Sequence, residues 1–430
     1  MKKVITYGTF DLFHQGHYNI IKRAKDLGDY LIVGVTSKSY DIDRGKLSVQ
    51  DDIATRIENV RKTGLADEII IEEYLGQKID DIKNHNVDVL VVGSDWKGKF
   101  DHLKQYCEVV YLERTKNISS TQIREELSSI YKVGIVTDNL DDNDAIKETK
   151  YVSGIHVESV FAEDRRITDE FCKKYELNLA FDDLNKFADS VGIVYIKTDI
   201  EKRYHYIKAL IEKGKHVICD FPFTLDLDKA NELEQLAKKH KVLLVENIVS
   251  VYLRAFTQIL WMAQGNLIGN LLGVNISMSN DLFEKETSYD HMSILAICAA
   301  IKILGTDFNK ITSNNSINQN KDVGYSNISI GYDNKVANIN IGVNIKLPGK
   351  LDIIGERGTI SILDDWWNTG YFKVRYYDAK HIERHSFNFE GNGFRYLLQE
   401  VLIILKDKRT ECNRLTNKES NAIVSIFNQI

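Results

Sequence analysis

The sequence predicts an α/β protein in three parts: a parallel-sheet domain, a doubly wound parallel-sheet domain, and an α+β domain with an open antiparallel sheet. Three observations carry this. A strand, a glycine turn, a helix and a second strand follow one another within the opening residues Val4–Val35. A fresh strand–helix alternation starts at Lys132, and such alternation builds parallel sheets. The run Asn327–Leu347 exchanges apolar and polar residues at period two, as a sheet with one solvated face requires. A chain of 430 residues exceeds one ordinary core, so several domains are expected, with bounds at 1–129, 131–255 and 256–430.

The first part opens on Val4–Tyr7, a β-branched apolar run that reads as a buried strand. Gly8 breaks it, and Gly16 breaks the chain again ahead of a helix in which Ile20, Ile21, Ala24 and Leu27 recur at helical spacing. Gly28 stops that helix and Tyr30–Val35 is the next strand. A strand, glycine turn and helix start form an anion cradle, because unsatisfied backbone N–H groups and the helix dipole face the ligand. His14 and His17, three residues apart, stand at that cradle. Asp41–Leu47 follows with Arg44 and Lys46 flanking Gly45, either a solvated charged turn or a phosphate-facing loop. Arg56 opens a helix, and Ile69–Ile71 gives a third strand. Gln77–His85, with Lys78, leads to a fourth, Val87–Val92, which runs into a loop bearing Asp95 and Trp96. After Val109–Leu112, the residues Ser119, Ser120 and Thr121 precede a helix at Gln122–Leu127. They are either a plain cap or a second anion site.

GTFDLFHQGH, Gly8–His17, resembles the signature of the cytidylyltransferase family within the nucleotidyltransferase superfamily, and RTKNISSTQIR, Arg114–Arg124, resembles that family's second nucleotide motif. Residues 1–129 are similar throughout to its glycerol-3-phosphate branch. The resemblance implies a Rossmann-like nucleotidyltransferase domain that moves CMP from CTP to a small polyol phosphate. His14, His17, Lys46 and Arg114 would be catalytic. Thr9, Phe10, Asp11, Gly16, Arg44, Arg56, Asp95, Trp96, Thr115, Ile118, Ser119, Ser120 and Thr121 would bind CTP, and Lys78 the acceptor's phosphate. Trp96 is equally a packing residue. Mg²⁺ is expected with the triphosphate, without a dedicated protein cage. Such a transfer rests on positioning and charge stabilisation, since the acceptor phosphate is already anionic. The acceptor stays open: glycerol 3-phosphate, glycerol 2-phosphate, ribitol phosphate, phosphocholine or phosphoethanolamine. So do an adenylyl transfer and a scaffold in which neither half turns over.

The later segments Gly214–Asp226 and Gly349–Leu363 resemble the Gfo/Idh/MocA oxidoreductases. That family's dinucleotide glycines are missing from TDNLDD, Thr137–Asp142, where acidic side chains would repel a pyrophosphate. Glu163 alone persists from that cofactor site. The family's Glu-Lys-Pro becomes Asp220-Phe221-Pro222, without the lysine, and Ile294 stands where its histidine would, leaving His291 as a surface residue. A fold that kept its shape and lost its chemistry is expected, with NAD(P) not bound, although a bifunctional enzyme is the competing view. The family's open sheets pair subunits, so a homodimer is expected.

Net charge of −6 leaves no basic footprint for nucleic acid. No run approaches the roughly 18 apolar residues of a membrane span, and MKKVITYGTF enters a strand directly. Five scattered cysteines, Cys107, Cys172, Cys219, Cys298 and Cys412, lack metal-ligand spacing and suit a reducing cytoplasm.

Overall fold

In the computed structural model the chain forms two compact units, Met1–Ile130 with Lys150–Ile155, and Tyr131–Thr149 with His156–Ile430. The structure describes residues 1–43, 46, 49–74, 76–113, 131–140, 144–282, 287–317, 323–378, 382–387 and 389–430.

The first unit holds a parallel sheet in the order β3-β2-β1-β4-β5, built from β1 (Lys3–Gly8), β2 (Tyr30–Thr36), β3 (Glu68–Glu72), β4 (Val89–Gly93) and β5 (Glu108–Leu112). Both faces are covered, which is why the strands read as unbroken apolar runs. Val4, Leu31, Val33, Val89 and Val91 join Ile21 and Ala24 of α1 (Gln15–Lys25) and Val60 of α3 (Ile53–Lys62) on one side. Ile5, Ile32 and Leu90 pack with Ile82 of α4 (Gln77–His85) and Leu103 on the other. Between β2 and α3 lies a short helix, α2 (Lys38–Asp43). With β1 at the centre of the sheet, the segment that leaves its carboxyl end is the natural ligand site.

The second unit contains a sheet in the order β11-β10-β9-β6-β7-β8. Its strands are β6 (Tyr131–Thr137), β7 (Ile155–Phe161), β8 (Leu179–Phe181), β9 (Ile193–Lys197), β10 (His216–Asp220) and β11 (Leu244–Asn247). The pairs β6–β9, β9–β10, β10–β11 and β7–β8 are parallel. A further, eight-stranded sheet includes β13 (Lys310–Ile317), β14 (Val323–Gly331) and β15 (Val336–Gly342); the period-two run Asn327–Leu347 falls on the last two, except that residues 343–347 lie beyond the end of β15. That sheet is antiparallel, as expected, with one parallel pair between β15 and β12 (Leu271–Ser279). A nearly all-apolar helix, Tyr289–Leu304, is buried from Met292 to Leu304 save for Leu295, as its lack of a polar face demands. Among the described residues no helix is long and apolar enough to cross a membrane.

Candidate functional site

The loop after β1 is held in an unusual shape. Phe10 and Leu12 take left-handed φ values of 54° and 47°, a conformation that costs a non-glycine residue on the order of 1–3 kcal/mol. The Phe10 ring, 2% exposed, lies over Gly8, where a Cβ would fall 2.9 Å from it. Glycine is what lets the ring fold back.

Carboxylates fix the loop from below. Asp11 Oδ1 accepts from the backbone N–H groups of Gln50 and Asp51, both at 2.9 Å, and Asp51 Oδ2 accepts from Leu12 N at 2.9 Å. Asp41 Oδ1 accepts from the hydroxyls of Thr9 (3.0 Å) and Thr36 (2.8 Å). Its other oxygen takes Arg56 Nη1 at 3.1 Å, and the same nitrogen donates to the carbonyls of Thr9 and Thr36 at 2.9 Å each. Lys46, exposed, donates through Nζ to Thr9 Oγ1 at 2.6 Å.

His14 is the N-cap of α1, and its Nδ1 accepts from Gly16 N at 3.0 Å. An accepting Nδ1 assigns the ring proton to Nε2. The rings of His14 and His17 stack with centroids 3.9 Å apart and planes 18° from parallel. Phe10 and Phe13 each stand 5.5 Å from His17, so three rings set its orientation. Two half-buried imidazoles thus meet at a helix N-terminus, where backbone N–H groups and the dipole favour an anion.

Of the expected site residues, the structure gathers Thr9, Phe10, Asp11, His14, Gly16 and His17 on this loop and its helix, and Lys46 reaches Thr9 from the segment after α2. Arg56 is placed differently from the expectation. Fully buried, it holds backbone carbonyls and Asp41 beneath the loop rather than standing at its surface. The sheet order forces this, because the start of α3 lies under the ends of β1 and β2. Asp95 is exposed, and Trp96 stacks obliquely on Phe100 at 5.8 Å with Lys99 Nζ 4.9 Å from its ring. Lys78, at the start of α4, pairs with Glu72 and lies 4.3 Å from the Tyr7 ring. Arg44, Arg114, Thr115, Ile118, Ser119, Ser120 and Thr121 lie outside the described residues. Sequence reasoning missed Asp41, Asp51, Tyr7 and Glu72; for Asp41 the signal available was a carboxylate among apolar Tyr40 and Ile42.

At the carboxyl end of β6 in the second unit, Asp138 Oδ2 accepts from Asp199 N at 2.8 Å, and Lys202 is 4.0 Å from it. Glu163 accepts from Tyr206 OH at 2.8 Å. Asp220 Oδ1 accepts from Tyr195 OH (2.6 Å) and Asn247 Nδ2 (3.1 Å). His291 is exposed.

A family model described as Cytidylyltransferase-like matches residues 5–126, and one described as Oxidoreductase family, NAD-binding Rossmann fold, matches residues 140–248. The glycerol-3-phosphate cytidylyltransferase of Bacillus spizizenii is 51% identical over 130 residues, covering 30% of this chain and 100% of that protein. Its counterpart in Staphylococcus aureus is 46% identical over 129 residues, 30% of this chain and 96% of that protein. Among solved structures, a 3-ketoreductase from Actinomadura kijaniata in complex with NADP and TDP-benzene is similar with a TM-score of 0.60. At 15% identity, over 70% of this chain and 96% of that one, the likeness speaks of fold alone. Through its first 130 residues, then, the chain belongs to the cytidylyltransferase-like family of nucleotidyltransferases, with an oxidoreductase-type fold behind them.

Proposed function

We propose that the first unit transfers CMP from CTP to glycerol 3-phosphate, giving CDP-glycerol and pyrophosphate for the synthesis of polyol-phosphate polymers of teichoic-acid or capsule type. The observation that carries this is the stacked His14–His17 pair at the start of α1. A phosphate oxygen of the acceptor attacks the α-phosphorus of CTP. The bond from that phosphorus to the bridging oxygen breaks, and its electron pair leaves with pyrophosphate. No general base is needed. His14, through its Nε2 proton, and His17 donate to the oxygens that gain charge as phosphorus becomes five-coordinate. Lys46 adds positive charge from beside Thr9, while Asp11, Asp41 and Arg56 hold the loop in its left-handed shape. Arg114, Thr115, Ile118, Ser119, Ser120 and Thr121, with Arg44, are assigned to the triphosphate, and Asp95 and Trp96 to the nucleoside side.

Among the described residues no group of three His, Cys, Asp or Glu side chains is placed to hold a metal ion. Mg²⁺ would enter with the triphosphate of the nucleotide substrate. Pyrophosphate release measured with CTP or ATP against a panel of small phosphates tests the reading. Turnover is expected with CTP and glycerol 3-phosphate, and ATP-only turnover would overturn it.

A second reading, a chain that also binds a nicotinamide dinucleotide, is favoured by the oxidoreductase family match over residues 140–248. The described residues fit that group poorly. Asp138 and Asn139 stand where the family's loop has glycines, with Asp138 already bound to Asp199 N, and Phe221 replaces the lysine. We therefore assign the second unit a regulatory or subunit-pairing role, with domain bounds at 131–255 and 256–430 and a homodimer. Titration with NADH and NADPH, followed by nicotinamide fluorescence, decides; micromolar binding would reverse the assignment.

A further inference from the structure

Lys78, expected from the resemblance at the acceptor's phosphate, stands in a site built for an ammonium group. Its Nζ stands 4.3 Å from the centroid of Tyr7 and 5.6 Å from that of Phe100, and it pairs with the Glu72 carboxylate. The two charged side chains are 13% and 1% exposed. Tyr7 is itself fixed by donating its hydroxyl to Asp81 Oδ2 at 2.8 Å. Aromatic faces with a carboxylate behind them are the chemistry that recognises an amine or quaternary ammonium. The cage lies at the same edge of the sheet as the histidine loop. Tyr7 is one residue from the end of β1, and Glu72 ends β3 opposite Thr36, whose hydroxyl is bound to the Asp41 that also holds Thr9.

Resting on the reading of this unit as a CTP-dependent cytidylyltransferase, we propose that Lys78 is a specificity residue: by filling the Tyr7–Phe100–Glu72 cage with the chain's own ammonium, it excludes acceptors with a cationic tail and leaves neutral polyol phosphates as substrates. A second ammonium brought within about 4–5 Å of Lys78 meets a like charge at partial burial, which at protein-like screening discriminates on the order of a hundredfold. An uncharged hydroxylated tail meets no such barrier. Removing the charge removes that repulsion and leaves the Glu72 carboxylate to attract an amine.

The test uses the full chain and pyrophosphate release from CTP, with glycerol 3-phosphate, phosphoethanolamine and phosphocholine as acceptors. The native chain is expected to favour glycerol 3-phosphate by kcat/KM on the order of a hundredfold. Lys78→Met, which keeps the apolar stem, should shift that ratio toward phosphoethanolamine by about tenfold or more, whereas Lys78→Arg, which keeps a cation in the cage, should not. A ratio unmoved in Lys78→Met, or moved equally in Lys78→Arg, overturns the assignment. Should Lys78→Met fail to fold, competition on the native chain decides alone: phosphocholine inhibiting as well as unlabelled glycerol 3-phosphate overturns it, and phosphocholine failing to compete supports it. Silence of the native chain with every acceptor would overturn both this and the reading of the reaction, while turnover with an unmoved ratio sinks only the role of Lys78.

Discussion

Asp41 and Arg56 meet at 3.1 Å with neither side chain exposed, and together they hold both Thr9 and Thr36. Removing one member leaves the other charged and buried, a loss of about 3–5 kcal/mol. Asp41→Ala or Arg56→Met should lower the stability of the first unit by that order, read by amide exchange in β1 and β2. The double variant should cost less than the sum of the two, because its members share one interaction. Strictly additive losses would show that the pair does not act as one.

His14→Ala and His17→Ala should each lower kcat by roughly 10²–10³, the loss seen when one donor to developing charge is removed. The Kd for CTP, measured by calorimetry in the absence of acceptor, should change much less. Near-native turnover in either variant would remove these rings from the reaction.

Gly34 lies beside Tyr7 across β1 and β2, and a Cβ there would run into the Tyr7 ring. Gly34→Ala should push that ring out of place and raise KM for the acceptor with little change in KM for CTP. Equal effects on both substrates would mean that Tyr7 does not serve the acceptor side.

Glu246 is buried, and burial pushes its carboxyl from the ordinary 4.5 up to about 8. It accepts from Phe223 N at 3.0 Å and from Ser420 Oγ at 2.5 Å. Between those two pH values the folded state holds a proton that the unfolded state gives up, so the contribution is complete below the lower value. It is lost progressively as pH rises toward the upper one. Thermal melting of the second unit should therefore drop between about pH 5 and 8, and Glu246→Gln should flatten that slope. An unchanged slope in the variant would assign the pH dependence elsewhere.

Much of the first unit was legible in its residues because its strands are buried on both faces and leave continuous apolar runs such as Tyr30–Thr36. The histidine loop was legible because glycine turns and helix starts are local features. Arg56 shows where locality ends: the resemblance gives it to CTP and its place in the chain says only that it opens a helix, while the parallel crossover carries that helix beneath the loop and buries it. Asp41 was hidden for the converse reason. A stretch as charged as Asp41–Lys46 reads as a solvated turn, and only the long-range partners Thr9 and Arg56 draw this carboxylate inward. The parallel pairing of β12 with β15 likewise depends on contacts between strands far apart in sequence, which no alternation of side chains encodes.

His14 closes the start of α1 with a lone pair of its ring. Helices are more often closed by a hydroxyl, or by a carboxylate that keeps its charge down to about pH 4. The nitrogen that closes the helix also decides which nitrogen of the ring carries the proton that faces the phosphate site. One side chain thus ties the first turn of α1 to the donor that the reaction needs, and neither can be moved without the other.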